Sequence, residues 1–112
     1  MHQSPNSRWY SGAGIYRDVT LHTLPARHIP MDGTYVYTQK TDACWTMTVE
    51  TELTGTEDGE TLCHRLLDSH GDVVAEVCAP AVGDTLTLQL EVAEPLLWSC
   101  DAPNLYTVKT LL

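Results

Sequence analysis

The stretch Thr85-Leu86-Thr87-Leu88-Gln89-Leu90-Glu91-Val92 carries an apolar residue at every even position and a polar one at every odd position. A period of two is the signature of a half-buried β-strand and is incompatible with an amphipathic helix. Leu86, Leu88, Leu90 and Val92 are therefore expected to face a core. Cys44 to Leu53 alternates in the same way, with Trp45, Met47, Val49 and Leu53 on one face and Thr46, Thr48, Glu50 and Glu52 on the other. Trp45 is the expected core anchor of that strand. Thr61 to Leu67, with Leu62, His64 and Leu66 on one face, and Val73 to Cys78 flank Asp68-Ser69-His70-Gly71-Asp72, a Gly-containing hairpin turn. Tyr16 to Thr23, Thr34 to Gln39 and Leu105 to Leu111 complete the strands. Pro25 to Gly33 cannot pair continuously, because proline has no N–H for a ladder. Turn residues recur about every 8 to 12 positions, the spacing of an all-β sandwich. The expectation is an antiparallel sandwich of about seven short strands, as in all-β sandwiches, with no helix.

At 112 residues the chain fits one domain with one core. Six Lys and Arg against 15 Asp and Glu give a formal charge of −9. Phosphate backbones and anionic leaflets repel such a surface, so nucleic acid and membrane are not expected partners. No apolar run is long enough to span a bilayer, and Met1 to Gly14 has no signal-peptide core; a cytoplasmic location is the expectation. Both ends read as continuing into further sequence. Cys44, Cys63, Cys78 and Cys100 show no CxxC spacing and accompany an ample apolar set, so free thiols are expected.

No catalytic residue, metal ligand or cofactor is expected. Glu50, Glu52, Glu76 and Glu91 fall on outward strand faces, and Asp58, Glu60, Asp72 and Asp84 fall in turns, where carboxylates are solvated. No GxSxG nucleophile turn or phosphate-cradling glycine loop occurs. His22, His28, His64 and His70 with Cys63 and Cys78 lack ligand spacing, and the adjacent Cys63 and His64 must point to opposite faces of one strand. His64 is the one expected to be partly buried. Trp9, Tyr10 and Tyr16 form either a platform for a sugar ring or, as favoured here, a packed junction.

Two segments depart from the strand pattern. The strings Ser-Arg-Trp-Tyr-Ser-Gly-Ala-Gly-Ile-Tyr-Arg-Asp-Val, from Ser7 to Val19, and Leu-Trp-Ser-Cys-Asp-Ala-Pro-Asn-Leu-Tyr-Thr-Val, from Leu97 to Val108, resemble two signatures of glycoside hydrolase family 2, the β-galactosidase and β-glucuronidase family. Leu62 to Ala75 is also similar to that family's strand, Asp-x-x-Gly turn and returning strand. Cys100 stands where the family commonly has proline, and Asn6 to Arg8 offers no carboxylate for the sugar contact made near the first signature. The resemblance implies that residues 1–14 end a sugar-binding jelly roll and that 15–112 form an immunoglobulin-like β-sandwich. It further implies that this sandwich is a non-catalytic spacer before a catalytic (β/α)8 barrel, and the first signature looks closer to the β-galactosidase branch. Substrate-binding residues are not transferred. The implied partners are the adjoining domains of an oligomeric parent glycosidase. Leu24 to Gly33 and Gly55 to Gly59 are the loops with the length and polarity to reach a barrel pocket. The competing reading is an independent carbohydrate-binding or adhesin-type immunoglobulin-like module.

Overall fold

The computed structural model describes residues 14–41 and 44–112. Six strands follow in order: β1 Thr34–Lys40, β2 Trp45–Glu52, β3 Thr61–Leu67, β4 Val73–Pro80, β5 Thr85–Val92 and β6 Thr107–Leu111. They form two three-stranded antiparallel sheets, β1-β2-β5 and β4-β3-β6. Two facing sheets of alternating strands, with no helix among the described residues, make the all-β sandwich that the sequence patterning implies, of the immunoglobulin-like kind that the family resemblance implies.

The strand count is six rather than seven, because Tyr16 to Thr23 pairs with nothing among the described residues. Its apolar side chains are left in solvent, Leu21 at 91% exposure and Val19 at 78%. A strand exists only through its ladder, so alternation without a partner yields an extended arm and no strand. Among the described residues the first backbone pairing with the sandwich is at His28, which exchanges two hydrogen bonds of 3.0 Å with Thr54.

The core lies where the inner faces meet. Met47 and Val49 of β2, Leu66 of β3 and Leu90 of β5 form one buried cluster, with Ala75, Val77, Val92, Tyr106 and Val108 packed around it. Leu53, Leu62 and Ala81 form a second, with Ile29 and Leu86. Leu90 is buried and Leu86, Leu88 and Val92 are half-buried, as the alternation of β5 requires. Trp45 departs from expectation: it is half-buried at the start of β2, not an interior anchor.

His64 is fully buried between the clusters, deeper than expected. One ring nitrogen lies 3.4 Å from the Thr51 hydroxyl on the facing sheet and the other 3.1 Å from the Thr110 hydroxyl on β6. Hydroxyls both give and accept, so a neutral imidazole is satisfied at both nitrogens. Burial holds its pKa below the usual 6.5, since desolvation penalises the imidazolium.

The cysteine expectation is corrected. Cys63 and Cys78 are joined by a disulfide, while Cys44 and Cys100 are free. The cause is register. Near the turn Leu67 faces Val73, and a bulge between Leu66 and Leu67 then shifts the pairing so that Leu66 faces Ala75 and Cys63 faces Cys78. Without that extra residue Cys63 would oppose an inward-facing valine.

Candidate functional site

The two segments that stand out from strand patterning take different positions. Of the first, Trp9 and Tyr10 lie outside the described residues, as do Ser11, Gly12 and Ala13. Tyr16 is 86% exposed, with the Arg17 guanidinium 5.4 Å from its ring centre. The second segment, Leu97 to Val108, is a self-bonded turn entering β6. The Ser99 backbone N–H donates to the Ala102 carbonyl at 2.9 Å, the Ser99 hydroxyl accepts from Ala102 N–H at 3.0 Å, and Trp98 bridges Pro103. The Asn104 side-chain amide donates to the Leu97 carbonyl at 2.9 Å. Cys100 sits exposed at the tip, so the absence of proline there leaves the turn intact.

Tyr106 fastens this segment to the sandwich. Its ring packs on the core, and its hydroxyl accepts the Leu96 backbone N–H at 2.9 Å, ten residues upstream. A tyrosine at the start of a strand, tied back to the preceding connection, is the tyrosine corner of immunoglobulin-like sandwiches. It went unnoticed in the sequence, although Asn104-Leu105-Tyr106 directly before an alternating strand was its signal.

Tyr106 also lines an apolar cavity of about 330 Å³ between the sheets, at the end where β2 begins and β3 ends. Trp45, Met47, Leu66, Val92 and Trp98 share its walls, and Trp98 remains 60% exposed. No carboxylate or histidine lines it, so it offers apolar burial and no acid–base chemistry.

At the opposite end, the two loops singled out by length are locked to each other. Arg27 pairs with Glu60 at 2.7 Å and Glu57 at 3.4 Å, and Glu60 also accepts the Glu57 backbone N–H at 3.0 Å. Gly55 has φ of 67°, and a Cβ there would overlap the Ala26 carbonyl oxygen. Only glycine lets the two backbones approach this closely.

The carboxylates lie where alternation puts them. Glu76 pairs with Arg65 at 2.6 Å across β3 and β4. Asp68 caps its hairpin, accepting the backbone N–H groups of His70 at 2.8 Å and Asp72 at 3.0 Å. Those bonds, Asp72 first, hold its carboxyl below the usual carboxylate range. Asp32, Glu50 and Glu52 line a shallow depression of about 90 Å³ with Tyr35. Tyr35 and Tyr37 stand side by side on that outer face, ring centres 5.5 Å apart, and the Tyr37 hydroxyl reaches Glu50 at 3.4 Å. This aromatic pair was missed in the sequence, although the i, i+2 spacing of Tyr35 and Tyr37 within a strand was its signal.

The fold and the tyrosine corner together define an immunoglobulin-like β-sandwich module. The model of the family described as "Glycosyl hydrolases family 2" matches residues 28–112, and the chain belongs to that family. Among its relatives are the β-galactosidase BoGH2A of Bacteroides ovatus, 38% identical over 96% of this chain and 14% of that protein. A putative β-glucuronidase of Formosa agariphila is 31% identical over 95% of this chain and 10% of its own length. A solved β-glucuronidase of glycoside hydrolase family 2 superposes with a TM-score of 0.67 at 26% identity, covering 76% of this chain and 11% of that one. A family 2 member from Bacteroides cellulosilyticus gives 0.60 at 28% identity, over 78% and 13%. The chain thus spans between a tenth and a seventh of the curated relatives just named, 10% and 14% of their lengths.

Proposed function

We propose that this chain is the non-catalytic sandwich of a family 2 glycosidase, with β-galactosides as the parent's substrates. In this reading residues 1–14 close a jelly roll, 15–112 are the sandwich with its entering arm, and the module spaces the jelly roll from a (β/α)8 barrel. The observation that carries it is coverage: nearly the whole of this chain aligns with a small share of relatives named β-galactosidase and β-glucuronidase. The interior supports the same reading, since its large cavity is apolar and its carboxylates sit in ion pairs, caps and a shallow outer depression.

An immunoblot of source cells with antibody to this chain tests the reading. A band large enough for a barrel of about 250 residues and a jelly roll besides supports it. A band near 12.4 kDa overturns it. In the full-length parent, Asp32→Asn, Glu50→Gln and Glu52→Gln should leave turnover of a nitrophenyl galactoside unchanged. The Tyr35 and Tyr37 pair beside Glu50 favours one second reading, an independent carbohydrate-binding module. Calorimetric titration of the chain with galactosides separates the two, because a spacer releases no binding heat at millimolar sugar.

A further inference from the structure

The Cys63–Cys78 bridge has a setting unlike that of a structural staple. Both cysteines project from the outer face of the β4-β3-β6 sheet, opposite the face that carries Leu62, His64 and Leu66 into the core. Cys78 is exposed on β4, an edge strand, while Cys63 is half-buried on β3, the central strand. The bridge joins residues that are already direct ladder partners, so the strands it links are held without it. The Glu76 carboxylate lies 4.0 Å from the Cys78 sulfur and within 4.8 Å of the Cys63 sulfur as well, and its own partner is the Arg65 guanidinium at 2.6 Å, so the two sulfurs differ in access rather than in charge.

We propose that Cys63–Cys78 is a thiol–disulfide exchange site, open to small thiols while the sandwich stays folded. An incoming thiolate attacks the exposed Cys78 sulfur and forms a mixed disulfide. The Cys63–Cys78 bond breaks, and its electron pair leaves on Cys63. Access sets the direction of attack, because Cys78 is exposed on an edge strand and Cys63 is half-buried on the central one. With a dithiol, the second thiol then attacks the mixed disulfide and frees Cys78. Two electrons and two protons pass from the dithiol to the cysteine pair, and the dithiol leaves as its cyclic disulfide. The exchange requires no core residue to move, because β3 keeps its ladders to β4 and β6.

The test uses the chain carrying Cys44→Ser and Cys100→Ser, so that only this pair reports. If that variant fails to fold, the wild-type chain with its two free thiols capped by N-ethylmaleimide replaces it. Excess dithiothreitol at neutral pH without denaturant, followed by iodoacetamide, should add two labels by mass, with the circular dichroism spectrum and the Val49 methyl resonances retained. No label before denaturant is added, or labelling only with loss of those signals, overturns the proposal. Glutathione in place of dithiothreitol should give a mixed disulfide with several-fold more adduct on the Cys78 peptide than on the Cys63 peptide. The reverse ratio overturns the assigned direction.

Discussion

Single residues fix this sandwich at three points. The Tyr106 hydroxyl accepts the Leu96 N–H and ties that connection to the body of the fold, so Tyr106→Phe should lower unfolding free energy by about 1 kcal/mol in urea titration, the net worth of one hydrogen bond. Gly55→Ala meets both a positive φ and the Ala26 backbone, and should cost roughly 1–3 kcal/mol, the scale of a strained backbone position. Gly71→Ala, with a similar φ but open space, should cost less. His64 gives the chain a pH dependence of known sign. Its folded pKa is below 6.5, so as pH falls through 6.5 the unfolded chain takes up the proton first. The contribution to stability is full above about 6.5, declines as pH falls toward the folded value, and stops declining below it. Urea midpoints measured from pH 8 to 5 should drop, and His64→Gln, which cannot titrate there, should show a flatter profile by that amount.

At the scale of elements, alternation carried most of what could be read. β3 occupies the residues its pattern marks, Thr61–Leu67, and β2 and β5 present the expected faces. Period two specifies which side chains share a face, but not which strand lies beside which, and the missed disulfide and the unpaired arm have that origin. The arm around Val19 and Leu21 alternates and has no ladder partner among the described residues. Cys63 and Cys78 sit on strands correctly drawn, yet their meeting depends on one bulged residue that no composition announces. Thr51 was overlooked because a polar residue on an inward face is legible only when its partner, His64, is known. The candidate site was less readable still: the signatures named a family, while the lock between Arg27 and the Glu57–Glu60 loop needed coordinates. Central β3 should be the least tolerant element. Leu62→Ala, fully buried, should cost about 2–5 kcal/mol by denaturant melt, whereas Thr87→Ala on the solvent face of β5 should stay within about 0.5 kcal/mol.

For the molecule as a whole, the sheet order has a kinetic consequence. The β1–β2 and β3–β4 pairs are hairpins between neighbours in sequence, which close in microseconds. Each supplies the central strand of one sheet, and each central strand then waits for a distant segment: Trp45 must find Val92, and Cys63 must find Leu111. Neither search can be completed locally, because the loop between β2 and β5 contains the whole β3–β4 hairpin and the loop between β3 and β6 contains β4 and β5. Refolding should therefore be slow for a chain this short, in the millisecond-to-second range of non-local β topologies. A stopped-flow trace that reports Trp45 and a hydrogen-exchange pulse that reports β6 should rise together, since β5 completes one sheet and β6 the other and the two inner faces bury one another in a single cooperative step.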